Sequence, residues 1–264
     1  MTAKRALVTG GASGFGREVA RQLVRRGDKV VLVDVDDAGG QAVADELGAT
    51  YLHCDVSDFD EVLATTEAAE QALGGLDLAF LNAGISTACG VADDFDVTAY
   101  RRAMGINLDG VVFGVHAAIP ALRRAGGGSI VATASMAGLT GTPFDPVYGA
   151  NKHAVVGLVR ALGPALAPQG ITVNAFCPGF AETAIITDIR EHLVGSGTPI
   201  IGVEQAGASV LQAFDSAETG QAWLLKAGRD VMVYRFRGIP GPLREDGSPA
   251  SAADPDGPLR ASGV

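Results

Sequence analysis

Tyr148 and Lys152 stand four residues apart in the stretch YGANK. On a helix that spacing sets a phenol and an ammonium on one face, a turn apart. A tyrosine with an ordinary pKa of about 10 holds its proton too firmly to act as a base at neutral pH. A nearby cation stabilises the phenolate and lowers that value. Such a pair can take a hydroxyl proton when an alcohol is oxidised and return it when a carbonyl is reduced. The same spacing also occurs on helices that keep the phenol at a core edge and the amine in water.

A second group of residues suits phosphate chemistry. TGGASGFG covers 9–16, between an apolar run and a helix-like one. Gly10 permits a tight turn, Gly14 removes a side chain where a pyrophosphate would lie, and Gly16 allows close helix–strand packing. Ser13 and Phe15 share the turn, and the helix N-terminus behind it offers amide N–H groups to an anion. Glycine turns also join plain strand–helix pairs, so it is the position that makes this one a nucleotide signal.

Asp34 closes the second apolar run. A carboxylate there accepts hydrogen bonds from both ribose hydroxyls of an NAD and repels the 2′-phosphate of an NADP. Val35 and Ser13 supply no cation for that phosphate, and Arg17 is the nearby basic residue that could complicate the preference. The residues predict NAD; the plainer reading is a turn acid within DVDD. Asp55-Val56 closes the third run, as an adenine contact or as a loop acid before a helix capped by Ser57.

These residues need elements to hold them. RALVT (5–9), KVVLVD (29–34), TYLHCD (50–55), LDLAFLN (76–82), GSIVATAS (128–135) and ITVNAFC (171–177) read as strands. Their near-continuous apolar character suits a parallel sheet buried on both faces. Segments such as 16–27 and 59–75 have helical spacing and end in glycine. The alternation predicts an α/β chain: one Rossmann-type doubly wound parallel sheet with helices on both faces, over residues 1–237. Residues 220–236 read as a strand, a turn at AGRD and a further strand, and 238–264, dense in Pro, Gly, Ser and Asp, as an extended or disordered tail.

With 264 residues, 47% hydrophobic and 19% charged, the chain can bury a full core. A net charge of −10 argues against nucleic acid or an anionic membrane surface as partner. No apolar run reads as long enough to span a membrane, and no signal-peptide core follows the start, so a cytoplasmic location is expected. Cys54, Cys89 and Cys177 are scattered and odd in number, which fits small buried hydrophobes and neither a disulfide framework nor a metal site.

Taken in order, TGGASGFG, LNAG (81–84), Ser135, YGANK and PGFAET (178–183) resemble the short-chain dehydrogenase/reductase family over about residues 4–228. The resemblance implies NAD(P)-dependent interconversion of alcohols and carbonyls, and a catalytic group of Asn107, Ser135, Tyr148 and Lys152. It also implies cofactor contacts from Gly10, Gly14 and Gly16, from Asn82, Ala83 and Gly84, and from Pro178, Gly179 and Thr183. On this reading Ser135 holds the substrate oxygen against Tyr148, and Lys152 also reaches the nicotinamide ribose. Asn107 anchors a water that carries protons from Lys152 to solvent. One departure is Lys226, which stands where the family usually has an acid after TGQ.

The expected enzyme is an NAD-dependent alcohol dehydrogenase/carbonyl reductase. Met136, Phe144, Phe180 and the isoleucines of 184–201 suggest an uncharged, fairly hydrophobic secondary alcohol or ketone, though the isoleucines could equally pack the core. Small residues along 148–167 suggest a dimer or tetramer, or close packing within one subunit. Two alternatives remain open: a non-catalytic NAD-sensing protein, and an epimerase or dehydratase with tightly held NAD.

Overall fold

The computed structural model describes residues 3–87 and 89–238. In chain order the strands are β1 (Arg5–Thr9), β2 (Lys29–Asp34), β3 (Thr50–His53), β4 (Leu78–Leu81), β5 (Gly128–Thr133), β6 (Ile171–Pro178), β7 (Ala222–Leu225) and β8 (Met232–Val233). The helices are α1 (Gly14–Arg26), α2 (Asp37–Leu47), α3 (Phe59–Leu73), α4 (Val97–Met104), α5 (Gly110–Arg124), α6 (Pro146–Leu166), α7 (Arg190–Gly195) and α8 (Val203–Asp215).

The strands form one sheet ordered β3-β2-β1-β4-β5-β6-β7-β8. All pair in parallel except β8, which runs antiparallel to β7 after the turn expected at AGRD. The sheet is therefore mixed, with a parallel body. Strand order reverses between β1 and β4, which opens a crevice beyond their carboxyl ends.

The core explains the continuous apolar runs. Val8, Leu32, Phe80, Val131 and Phe176 of the sheet are buried with Val19 and Leu23 of α1 and Val210 and Phe214 of α8. Phe80 meets Phe214 edge-on at 6.3 Å between ring centres. Burying each such side chain contributes about 1.5–3 kcal/mol. Helices α1 and α3 stop where glycine enters the left-handed region, Gly27 at φ 95° and Gly74 at φ 74°.

Two expectations need correction. The chain is helical without a break from Val97 to Arg124, and an eighteen-residue window of it has a mean hydropathy of 1.4. By length and composition this stretch could cross a membrane. Asn107 and Asp109 near its middle break up that run in the sequence, and Val111, Val115, Ala118 and Leu122 bury its inner face in the fold. Secondly, the cap of α3 is Asp58, whose carboxylate accepts the amides of Asp60 and Glu61; Ser57 instead bonds back to Asp55.

Residues up to Val233 form one compact unit, and a second begins at Tyr234. In the second, the rings of Tyr234 and Phe236 meet at 5.0 Å. The tail expected over 238–264 lies, apart from Gly238, outside the described residues.

Candidate active site

Each of the strands β1 to β6 reaches a predicted site residue at its last position or within two residues after it. Several of the expected strands stop one or two residues early, because those residues leave the ladder and turn their side chains to local partners.

After β1, the glycine turn closes tightly. Gly10 has φ 65°, and a Cβ there would sit 2.9 Å from Asn82 Nδ2; one on Gly16 would sit 2.0 Å from the Gly10 carbonyl oxygen. Gly14, at φ 51°, would meet only the Thr183 side chain, 3.5 Å away across the crevice. Ser13 starts α1 in extended backbone, its hydroxyl makes no capping bond, and no acid stands in the first helical turn. The helix thus presents amides and its positive dipole end to this space. Phe15 packs its ring edge-on against Phe176 at 5.6 Å, so it offers the turn its backbone alone.

The carboxylate of Asp34 is fixed facing that turn. Oδ2 accepts the Ala12 amide at 3.0 Å, and Oδ1 accepts the amides of Val35 at 2.8 Å and Asp36 at 3.1 Å. Arg17 is committed elsewhere, to Glu46 at 2.6 Å. Asp36 and Asp37 follow at once, so the neighbourhood is acidic. This cradle fits a dinucleotide: bare backbone for the pyrophosphate and a held carboxylate for the ribose. Asp55 and Val56 are engaged with local partners. Asp55 accepts from Ser57 N and Oγ, and Val56 is buried against Gly110, where a Cβ would come within 2.9 Å.

Asn82, after β4, knits three strands together. Its Nδ2 donates to the Thr9 carbonyl at 3.1 Å, its Oδ1 accepts the Thr133 hydroxyl at 3.0 Å, and its amide donates to Thr9 Oγ1 at 2.8 Å. The Ala83 amide donates to the same hydroxyl at 3.1 Å. Gly84 leaves room for its neighbours: a Cβ there would lie 3.1 Å from Asn107 Oδ1 and 3.7 Å from Lys152 Nζ.

Between α4 and α5, Gly105–Asp109 forms one π-helical turn, a feature common at functional sites. It carries Asn107, which is fully buried. Asn107 Oδ1 accepts the Ile85 amide at 2.8 Å and its Nδ2 donates to the Ile85 carbonyl at 2.9 Å. Both ends of the side chain thus reach one residue of the crevice wall, which Asn107 braces.

Tyr148 and Lys152 lie on α6, one turn apart. Lys152 is only 2% exposed; its ammonium donates to the Thr133 carbonyl at 3.0 Å and lies 5.6 Å from the centre of the Tyr148 ring. Ser135 follows β5, accepts the Ala137 amide at 3.1 Å, and its hydroxyl faces the Pro178 carbonyl at 3.5 Å and Tyr148. Next to Pro178, the Gly179 amide is tied to the Leu225 carbonyl at 2.9 Å. Asn107, Ser135, Tyr148, Lys152, Gly84 and the 178–183 loop therefore converge at one place.

The electrostatics depart from expectation. The Tyr148 phenol is pushed up to about 12, first by burial and also by Asp145, against a Ser135 hydrogen bond that favours ionisation. Lys152 falls to about 8 because burial penalises its charge, although Cys177 nearby favours it. Burial is the first cause of both shifts.

The substrate side is mixed. Phe144 is 75% exposed, and Ile185 and Ile189 are open, whereas Ile186, Leu193 and Ile201 are buried. Arg190 is paired with Glu182 at 2.9 Å.

Sequence reading missed Asp145, Thr133 and Thr87. For Asp145 a signal was present: Asp followed by Pro, just ahead of Tyr148, is an N-cap with proline at the first helical position. Thr133 and Thr87 act through contacts that only the fold creates.

A family model described as short chain dehydrogenase matches residues 4–194. The chain is 37% identical over 231 residues to the 3-alpha-(or 20-beta)-hydroxysteroid dehydrogenase of Mycobacterium tuberculosis, covering 85% of this chain and 88% of that protein. It is 36% identical to the cyclohexanol dehydrogenase of an Acinetobacter species, covering 84% and 93%. Among solved structures, a single-residue variant of actinorhodin polyketide ketoreductase with NADPH matches with a TM-score of 0.80 and 30% identity, covering 86% of this chain and 97% of that one.

Proposed function

The chain belongs to the short-chain dehydrogenase/reductase family and is an NAD(P)-dependent oxidoreductase of alcohols and ketones; on that premise we propose that it uses NAD, with Tyr148 as acid and base, on uncharged alicyclic secondary alcohols or ketones. The observation that carries this reading is the convergence of Ser135, Tyr148 and Lys152 beside the glycine turn and the held Asp34 carboxylate.

Gly10, Ser13, Gly14 and Gly16 would hold the pyrophosphate, Asp34 the adenosine ribose, and Gly84, Lys152, Pro178, Gly179 and Thr183 the nicotinamide end. When bound, the nicotinamide accepts or supplies the hydride. The chain's residues handle the proton. Ser135 Oγ holds the substrate oxygen in place and stabilises charge as it develops there. In reduction the Tyr148 hydroxyl donates its proton to that oxygen; in oxidation the phenolate takes one. Lys152 stabilises the phenolate, and Asn107 keeps the wall at Ile85 fixed.

Two observations favour NAD over the NADPH of the ketoreductase: a 2′-phosphate would meet Asp34, Asp36 and Asp37, and Arg17 is engaged with Glu46. An uncharged substrate is favoured by the open apolar side chains and by the Arg190–Glu182 pair, which leaves that cation neutralised. The two relatives are named for a hydroxysteroid and for cyclohexanol, both uncharged alicyclic molecules. The proposal includes a cytoplasmic homo-oligomer: Cys54, Cys89 and Cys177 are free thiols, and α6 has small outward residues.

The test is an absorbance screen at the NADH band, with cyclohexanol and a 3α-hydroxysteroid plus NAD, the matching ketones plus NADH, and each repeated with NADP(H). Turnover with release of free NADH, and a preference for NAD, is expected. Preference for NADP, or for a polyanionic substrate, overturns the finer assignment.

A further inference from the structure

Asp145 lies one residue before α6, and the proton transfer described above makes no use of it. Its Oδ1 accepts the Tyr148 amide at 2.9 Å, which caps the helix at the residue that does the chemistry. The same carboxylate accepts the Thr87 hydroxyl at 2.7 and 2.9 Å. Thr87 is 1% exposed and belongs to the segment that leaves β4 through Asn82 and Gly84. That wall is thus gripped twice: at Ile85 by Asn107 from the π turn, and at Thr87 by Asp145 from the start of α6.

A helix N-terminus favours a carboxylate, but an anionic neighbour disfavours a phenolate on the same first turn. The groups that face the phenol are few. Ser135 comes from the turn after β5, and Lys152 from the same helix, 5.6 Å from the ring centre. Cys177 on β6 acts on Lys152, and Asn107 from the π turn is uncharged. Asp145 is the anion of this set, and it opposes ionisation of Tyr148.

We propose that Asp145 is a positioning residue: through Thr87 and the Tyr148 amide it fixes the start of α6, and with it the phenol, against the crevice wall. The proposal rests on Tyr148 as the acid and base, so its test includes a readout that needs no turnover.

The chain has four tyrosines, so phenolate absorbance in a stopped-flow pH jump is read as the difference between each protein and its Tyr148→Phe counterpart. Asp145→Asn keeps the cap and removes the charge. The Tyr148 midpoint should fall, with the alkaline limb of alcohol oxidation moving the same way. An unmoved midpoint would mean that the carboxylate is not held beside Tyr148, and overturns the proposal whatever Tyr148→Phe does to turnover. Asp145→Ala also loses the clamp and should lower kcat about tenfold across all pH, a loss that Asn rescues. Equal behaviour of Ala and Asn overturns the clamp. Should Asp145→Ala not fold, Thr87→Val cuts the clamp alone, and unchanged kcat there overturns it equally.

Discussion

The Lys152 ammonium gives a hydrogen to the Thr133 carbonyl at 3.0 Å and lies 5.6 Å from the centre of the Tyr148 ring. One bond ties the second turn of α6 to the end of β5, and so relates Tyr148 to Ser135, two residues beyond Thr133. The cost is a buried cation, and its lowered pKa of about 8 records that cost. The first prediction follows from it.

Lys152→Met should stabilise the fold and abolish activity. The unfolded chain holds this proton up to about 10.5, the folded chain only up to about 8, so the folded state binds fewer protons between those values. The destabilisation is present in full below pH 8 and fades as pH rises toward 10.5. After allowing for the lost Thr133 hydrogen bond, the variant should gain on the order of 2 kcal/mol at pH 7. Thermal melts at pH 7 and pH 9.5 check this. A lower melting point at pH 7 for Lys152→Met contradicts it.

If, as proposed, the Asp34 carboxylate accepts both ribose hydroxyls and repels a 2′-phosphate, Asp34→Ala should weaken NAD roughly tenfold to a hundredfold and improve NADP relative to NAD. Arg17 stays engaged with Glu46 in that variant, so a second change, Glu46→Gln, should raise NADP affinity further. Cofactor titration by NAD(P)H fluorescence measures both. An unchanged ratio would remove Asp34 from the cofactor assignment.

Two alanine substitutions in the glycine turn should fail in different ways. At Gly16 the new Cβ would meet the Gly10 carbonyl at 2.0 Å, and neither backbone can yield without opening the turn. Gly16→Ala should cost about 2 kcal/mol or more of stability. At Gly14 there is room, with Thr183 at 3.5 Å, but φ is 51° and the crevice lies beyond. Gly14→Ala should cost only about 1 kcal/mol of stability and mainly lose dinucleotide affinity. Equal effects on melting and on binding would count against the different duties assigned to the two glycines.

Much of this was legible in the residues. Uninterrupted apolar strands gave the parallel order, glycines marked the helix ends, and the order of motifs pointed to the site. The π turn was not legible: GINLDG reads as an ordinary helical segment, and only the pairing of Asn107 with Ile85 shows why one extra residue is accommodated there. Nor was the sign of the Tyr148 shift. Spacing puts an ammonium nearby, but it cannot show how much water both groups lose, and that loss decides the direction. The clamp from Asp145 to Thr87 joins residues 58 positions apart, which no local pattern reveals.

The central claim is that the Tyr148 hydroxyl moves the proton while the rest of the site binds and positions. Tyr148→Phe removes one oxygen and leaves the helix, Lys152 and the glycine turn in place. Single-turnover mixing of NADH with cyclohexanone, followed at the NADH absorbance band, tests it beside an NADH binding titration by fluorescence. The account predicts NADH affinity within about threefold of the unaltered chain and hydride transfer slowed by at least about a thousandfold. Retained hydride transfer with intact NADH binding would contradict it.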